Sequence, residues 1–317
     1  MARLTMPSMF DLAREYLAHR RKLGFKLSSQ GQHIIAFARF ADRVAPGQPL
    51  KTALALQWAT ESKSQYRGYL AARLGALRNF ARYCATIDPR AEVPGQRLLG
   101  PSIQRRTPHI YSAREIGLIL RQARALPTQH SPLHARTYAT IIGLIAATGL
   151  RPTEAVRLRL IDFDPLAGLL HVLPAKTSPL RQLPLHPSVV RALQNYRRAR
   201  WRAFPFGGQL FVGRHGWPIQ LHALEYVFKR FARTISSNGA RPTPRLMDLR
   251  HTFATKLIAS WVRQKAPVAH RLLLLSRYLG HRHFISTWWY VSSDPSALQS
   301  AAEQFRRFHD QSRDSDD

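Results

Sequence analysis

The chain has 317 residues, 45% of them apolar, and its 48 lysines and arginines against 18 acidic residues give a formal net charge of +30. This apolar content excludes wholesale disorder, and the length suits two ordinary domains. The charge predicts a polyanionic partner, usually a nucleic acid. Residues 1–106 carry 18 basic and 6 acidic side chains, and the remainder carries 30 and 12. Both halves of the chain are therefore expected to contact the polyanionic partner.

The cysteine content and the longest apolar run indicate the cellular location. A single cysteine, Cys84, excludes an internal disulfide and is typical of the reducing cytosol. It lies in an apolar helical pattern, so we expect a buried structural thiol. The longest apolar run, residues 140–150, is too short to cross a bilayer, and the first residues lack a secretory signal pattern. We expect a soluble cytoplasmic protein without membrane contact.

The first segment, residues 1–92, is predicted to be a small helical bundle. Apolar residues recur at helical spacing in four stretches, and short loops join them. The first helix contains Phe10 and is ended by Gly24, and the others cover residues 33–44, 54–59 and 66–85.

Residues 93–111 are predicted to be a basic linker. They contain three prolines, two glycines and three arginines but no periodicity. Ser112, followed three residues later by Glu115, has the pattern of a capping box that begins a new helix. The second domain is therefore predicted to cover residues 112–309, and residues 310–317 are predicted to be a frayed polar tail.

The second domain is predicted to combine helices with a small β-sheet. An apolar helix over residues 138–147 ends at Gly149, and Lys176 lies in the turn between two predicted strands, residues 169–173 and 182–185. Further helices are predicted over residues 189–201, 221–235, 249–262 and 269–279. The fold class is therefore mainly α with a small β-sheet (α+β).

Three short blocks in the second domain carry the candidate chemistry. They supply Arg151 and Glu154 after Thr-Gly-Leu, then Arg250 and His251 after Asp-Leu, and finally His281 after Leu-Gly with Tyr290 nine residues later. A guanidinium is always charged, and its planar fork fits phosphate oxygens in pairs. Two arginines that hold a phosphate, a histidine that hydrogen-bonds it and a tyrosine that attacks it suit metal-free phosphodiester cleavage.

Each of these residues also fits a structural interpretation when it is taken alone. Arg151 fits a surface arginine at a helix start, and His281 fits a helix cap. Tyr290 fits a core aromatic residue, and Lys176 fits a solvated turn lysine. The order and spacing of the whole set favour the catalytic interpretation.

The three blocks together resemble those of the tyrosine recombinase, or phage integrase, family, and the resemblance covers nearly the whole chain. It implies a helical N-terminal core-binding domain and a C-terminal tyrosine-recombinase catalytic domain. Residues 286–292 are similar to a subgroup found with bacterial mobile elements, sometimes encoded as several adjacent recombinases. This resemblance implies a bacterial, nucleoid-associated protein. The implied activity is site-specific DNA cutting and rejoining through a 3′-phosphotyrosine, without a metal, another cofactor or ATP.

The resemblance also implies a role for each residue. Arg151 and Arg250 would bind the scissile phosphate and stabilise the charge of its transition state. Lys176 would protonate the 5′-oxygen that leaves, and His281 would hydrogen-bond the phosphate. Tyr290 would be the nucleophile. Glu154 matches a supporting acid that orients site residues.

One position departs from the family pattern. The family usually has a histidine three residues before the second arginine, where this chain has Met247. That histidine helps to accept the tyrosine proton, whereas a thioether cannot exchange a proton near neutral pH. General acid–base assistance typically contributes about 10² to 10⁴-fold. Three outcomes stay open: a slow enzyme, an enzyme that uses another base such as His251, or a copy that binds DNA without cutting.

The expected partner is double-stranded DNA, bound mainly through its phosphates and therefore with strong salt dependence. The resemblance implies a homodimer on an inverted repeat and a tetramer in the synapse, and sister recombinases are further candidate partners. An amphipathic helix over residues 297–308 either docks on a neighbouring protomer or packs on its own domain. The candidate phosphate contacts are Arg20, Arg21, Lys22, Lys26, Arg67, Arg78, Arg105, Arg106, Lys229 and Arg230.

Two other functions share parts of this pattern. A type IB topoisomerase uses the same chemistry but usually acts as a monomer, and the first domain here resembles a core-binding bundle. A catalytically silent accessory DNA-binding protein is favoured by Met247 alone. A metal site is not predicted: His130 and His134 have i, i+4 spacing, but Pro132 lies between them and no acidic residue is near. No glycine-rich phosphate loop is present either.

Overall fold

The computed structural model describes residues 7–64, 66–101, 106–129, 131–173, 180–235, 243–264 and 266–292. The chain divides into two compact units, residues 1–106 and 107–317. The described part is mainly helical with one three-stranded sheet, which confirms the predicted fold class. Lys176, Arg105, His130, the helix expected over residues 297–308 and the polar tail lie outside the described residues.

The first unit contains the four predicted helices. They are α1 (Met9–Lys22), α2 (Ser28–Val44), α3 (Thr52–Thr60) and α4 (Arg67–Ile87). Each helix buries one apolar side, and these sides share a core that includes Phe37, Leu77 and Phe80. Cys84 lies in this core, as predicted, and burial raises the pKa of its thiol to about 12. A thiol in this environment is a packing element and not a nucleophile.

The second unit combines eight described helices with the sheet. The helices are α5 (Ala113–Arg124), α6 (His134–Thr148), α7 (Pro152–Ala155), α8 (Pro187–Ala203), α9 (Leu221–Arg233), α10 (Asp248–Arg263), α11 (Val268–Leu279) and α12 (Ile285–Ser292). Strands β1 (Phe163–Asp164), β2 (Leu169–Val172) and β3 (Arg181–Pro184) form an antiparallel sheet in chain order, with Leu170 opposite Leu183. The predicted capping box of Ser112 and Glu115 begins α5.

Two apolar clusters organise the second unit. The larger one places α6, with Ile141 and Ile145, against the sheet, α8 and α9. The smaller one joins α10, α11 and α12 and includes Ile258, Leu275 and Tyr290. Helix α10 also packs on α6, so the three sequence blocks are brought to one place. In the described part of the chain, no helix is both long and apolar enough to span a membrane.

Candidate active site

Two glycines at helix ends form the backbone frame of the site. Gly149 ends α6 and Gly280 ends α11, with left-handed φ values of 65° and 66°. A Cβ at Gly149 would lie 2.6 Å from the Phe253 ring, and one at Gly280 would lie 2.8 Å from Nη1 of Arg181. Both positions therefore need glycine for its backbone conformation and for its size.

Arg250 connects these two helix ends from α10. Its side chain is only 2% exposed. Nη1 donates to the Gly149 carbonyl at 2.8 Å, and Nη2 donates to the Leu279 carbonyl at 2.7 Å and to His281 Nε2 at 2.9 Å. Burial lowers its pKa from the ordinary value of 12.5, but a guanidinium stays charged in proteins. The buried guanidinium therefore has several partners within the protein.

His281 follows Gly280 directly, and both of its ring nitrogens are hydrogen-bonded. Nε2 faces the guanidinium of Arg250, which can only donate, so Nε2 is the acceptor. The proton is then on Nδ1, which lies 2.7 Å from Oγ1 of the buried Thr287. Burial, and then the charge of Arg250, lowers the pKa of His281 to about 3. The imidazole is therefore neutral near pH 7.

Arg151 and Arg181 share the carboxylate of the buried Glu154. Arg151 Nη1 is 3.0 Å from Glu154 Oε1, and Arg181 Nη2 is 2.7 Å from Oε2. Burial by itself raises the pKa of Glu154, but the hydrogen bonds and charges of Arg181 and Arg151 outweigh it and lower the pKa. Arg151 also contacts the Gly280 carbonyl at 3.3 Å, and its side chain is 22% exposed.

Sequence reasoning missed Arg181. It lies on β3 and is almost fully buried, and its Nε also donates to the Tyr278 carbonyl at 2.8 Å. The available signal was its register, because Arg181 and the buried Leu183 are two residues apart and so lie on the same face of the strand. A charged residue at a core-facing strand position indicates a specific buried partner.

Tyr290, on α12, lies between two imidazole rings and is 4% exposed. Its ring stacks on that of His281 with centroids 5.8 Å apart, and it lies 5.2 Å from the ring of His251. A hydrogen bond and electrostatic attraction to the Tyr290 side chain stabilise the charged form of Arg250. Arg250, His281 and Tyr290 therefore meet at one point, and Arg151 is joined to them through Gly280.

His251 and Met247 lie on the N-terminal part of α10 and immediately before it. Burial is the largest cause that lowers the pKa of His251, which is about 4. The buried Nδ1 of His251 has no hydrogen-bond partner within the described residues. Met247 is 37% exposed and offers no ionisable group. The turn before α10 is held by Asp248, which accepts from Nη2 of Arg245 at 2.8 Å.

The candidate phosphate contacts differ in their surroundings. The exposed ones are Arg21, Lys22, Lys26, Arg67, Arg106, Lys229 and Arg230. Arg20 is half-buried, with its guanidinium carbon 3.9 Å from the centre of the Phe25 ring. Arg78 donates through Nη2 to the Gly95 carbonyl at 2.9 Å. Arg20 and Arg78 therefore have partners within the protein.

Comparisons with known proteins cover most of the chain. Residues 113–297 match the sequence model of the phage integrase family. A putative integrase/recombinase of Sinorhizobium fredii, y4rB, is 34% identical over 310 residues, which cover 95% of this chain and 98% of the relative. The tyrosine recombinase XerC of Azotobacter vinelandii is 29% identical over 74% of this chain and 73% of its own. The Tn1549 transposon integrase, solved in complex with transposon right-end DNA, has a similar fold: its TM-score is 0.70 at 19% identity, over 95% of this chain and 99% of that one.

Proposed function

Because the chain belongs to the phage integrase family of tyrosine recombinases, which are site-specific DNA recombinases, we propose that it cuts and rejoins DNA through a 3′-phosphotyrosine at Tyr290. The observation that carries this proposal is the position of Arg250. One buried guanidinium contacts the end of α6, the end of α11, His281 and the Tyr290 side chain. A nucleophile and a phosphate-binding cation thus share one small volume.

The two arginines of the sequence blocks supply the positive charge for the phosphate. Arg151 has the more accessible side chain, and its contacts to the carbonyls of Leu279 and Gly280 are 3.3–3.4 Å long and therefore weak. It can donate to a non-bridging oxygen while Glu154 holds it. Donors of this kind, fixed where charge develops, contribute about 10² to 10³-fold each.

The proposed step forms one bond to phosphorus and breaks another. The Tyr290 hydroxyl oxygen forms a bond to phosphorus, and the bond from phosphorus to the 5′-oxygen breaks. The 5′-oxygen takes a proton, for which we propose Lys176. Because the phosphotyrosine conserves the energy of the broken bond for rejoining, we propose a reaction that needs neither ATP nor a metal.

His281 can donate a hydrogen bond to the phosphate after a change of tautomer. In the structure, Nε2 accepts from Arg250 and Nδ1 donates to Thr287. A hydroxyl both donates and accepts, so Thr287 suits the other tautomer equally. With the proton on Nε2, His281 would donate to a phosphate oxygen, which is the role we propose for it.

The proposed substrate is double-stranded DNA at the ends of a mobile element. The large positive charge of the chain and the transposon-end DNA in the Tn1549 integrase structure support this substrate. We propose a homodimer on an inverted repeat and a tetramer during strand exchange, with sister recombinases as potential partners. We also propose that Arg21, Lys26 and the exposed basic side chains of α9, Lys229 and Arg230, contact phosphates.

Trapping on a nicked suicide substrate tests the function. The DNA is taken from the borders of the element that encodes the gene, and the buffer contains a chelator. We expect a covalent protein–DNA band with the wild type and none with Tyr290→Phe. Tight DNA binding without a band, which Met247→His does not restore, would instead establish the accessory DNA-binding function that Met247 favours.

A further inference from the structure

The attack of Tyr290 on phosphorus requires an acceptor for its phenolic proton. Two imidazoles flank the ring of Tyr290, at centroid distances of 5.8 Å for His281 and 5.2 Å for His251. The residue at the family's usual histidine position, Met247, cannot take a proton near neutral pH. Within the described part of the chain, these two imidazoles are therefore the candidate acceptors that flank the tyrosine ring.

The hydrogen bonds of His281 make it unsuitable as this acceptor. Its Nε2 accepts from the Arg250 guanidinium, and its Nδ1 is bonded to Thr287. A second proton would place a cation directly against Arg250, at a distance of 2.9 Å. Arg151 and Arg181 also disfavour its charged form. His281 is thus built to stay neutral.

His251 differs from His281 in its hydrogen bonding and in its distance from Tyr290. Its Nδ1 is buried and has no hydrogen-bond partner among the described residues, and its ring is the nearer of the two to Tyr290. A buried polar atom without a partner is unfavourable and calls for an explanation, and a role as proton acceptor for the neighbouring tyrosine supplies one. Resting on the function proposed above, we propose that His251 Nδ1 accepts the proton of Tyr290 during DNA cleavage.

The charges around His251 suit a transient proton acceptor. Burial is the largest cause that lowers its pKa to about 4; Asp248 opposes this shift, and Arg245 and Arg250 add to it, so the ring is neutral near pH 7. Asp248, buried on the same helix, favours the imidazolium once it forms. Because burial and the two arginines outweigh Asp248, the imidazolium returns its proton readily.

The proton transfer runs in one direction during cleavage and in the opposite direction during rejoining. In cleavage, the proton moves from the Tyr290 hydroxyl to His251 Nδ1 as the bond from oxygen to phosphorus forms. In rejoining, a 5′-hydroxyl attacks phosphorus, the bond to Tyr290 breaks, and His251 returns the proton to the tyrosine oxygen. His251 also lies four residues after Met247, about one helical turn farther along the chain. The imidazole thus takes over the missing function from the next turn.

A pH series of single-turnover cleavage tests this inference. His251→Asn keeps a polar group at the place of Nδ1 but cannot take up a proton, and His251→Gln is a second variant of different shape. The matched control is His270→Gln, at an exposed histidine of α11. Covalent adduct formation on the suicide substrate is followed from pH 6 to pH 9, and DNA affinity is measured in parallel.

We expect both His251 variants to bind DNA as the wild type does and to cleave about 10² to 10⁴ times more slowly at pH 7. Their rate should rise with pH, because hydroxide must then take the proton that His251 no longer accepts, while the wild-type and control rates stay nearly flat. If the wild type cleaves and either variant cleaves equally fast, the role of His251 is overturned while the proposed function stands. The same holds if a variant cleaves more slowly but keeps the wild-type pH profile. No adduct from the wild type at all would overturn the proposed function as well.

Discussion

A single buried carboxylate, Glu154, holds two arginines of the site. Glu154→Gln keeps the shape and removes the charge, which leaves the almost fully buried Arg181 without a counter-ion. We expect the free energy of unfolding to fall by about 3–5 kcal/mol, the usual range when one partner of a buried pair is removed. Cleavage should also slow, because Arg151 loses its anchor. Urea denaturation measures the loss, with the exposed Glu225→Gln as control; equal midpoints for the two variants would contradict this prediction.

Met247 allows a second prediction about a single residue. Met247→His places a group that can exchange a proton at the start of α10. We expect faster cleavage, but by less than about tenfold in the wild-type background, since His251 already takes the proton. In the His251→Asn background the same change should recover a larger factor, within the 10² to 10⁴ of general-base assistance. Rates of adduct formation for the four proteins check this, and equal or slower cleavage by Met247→His would show that Met247 does not limit the rate.

The sequence predicted some site residues and could not predict others. Arg151, Arg250, His281 and Tyr290 follow from short blocks with a fixed order, and the structure brings their side chains together, although their catalytic roles remain predictions. Arg181, from outside these blocks, contacts Glu154, and Thr287, from a position between His281 and Tyr290, contacts His281. The register of β3 indicates that Arg181 is buried, but the partner of each of these two residues depends on pairings across the fold.

At the scale of the elements, the turn after α11 depends on one glycine. Gly280→Ala would strain a left-handed residue and push a methyl group against Arg181. We expect a loss of about 1–3 kcal/mol in unfolding free energy, together with slower cleavage, because Arg151 and Arg250 bond to carbonyls at this turn. Gly168→Ala is the matched control: its φ is +65° but its nearest contact is an ordinary 3.7 Å, so it should lose only about 1 kcal/mol. Equal losses in thermal unfolding would argue against a close packing role for Gly280.

Most helices of the fold were predictable, and the exceptions have clear causes. Helix α2 begins at Ser28, five residues before the predicted start, because its first turn is polar and shows no apolar period. Strand β1 has two residues, too few for an alternating pattern. Helix α12 was not predicted, since its sequence, Ile-Ser-Thr-Trp-Trp-Tyr-Val-Ser, is rich in residues that also favour strands. Packing on α10 and α11 decides its conformation.

For the whole molecule, the two imidazoles of the site predict how stability depends on pH. The folded-state pKa values, about 4 for His251 and about 3 for His281, lie below the ordinary 6.5. At pH values between the folded-state pKa and 6.5, the unfolded chain therefore binds more protons than the folded chain. Stability consequently falls as the pH drops below 6.5, and the loss is complete near the folded-state pKa. From pH 7 to pH 5 each histidine should contribute a loss of about 2 kcal/mol. His281→Asn should lose less over this interval in chemical denaturation, and an unchanged pH dependence would count against a buried neutral His281.

Charge on the whole molecule should control its affinity for DNA, and the structure separates arginines that are available to phosphates from those that are not. If six to ten phosphates are contacted, affinity for a duplex should fall by about 10³ to 10⁵-fold between 50 and 200 mM salt. Arg230, exposed on α9, is available, so Arg230→Ala should reduce the slope of log affinity against log salt by about one.

Arg78→Ala provides the contrast, because its guanidinium already donates to the carbonyls of Pro94 and Gly95. It should lower the stability of the first unit and leave the salt slope nearly unchanged. Fluorescence titrations at several salt concentrations, with Tyr290→Phe as a non-cleaving background, measure binding without chemistry. Equal slopes for Arg230→Ala and the parent would remove α9 from the DNA-contacting surface, and a reduced slope for Arg78→Ala would mean that its internal bonds yield to phosphate.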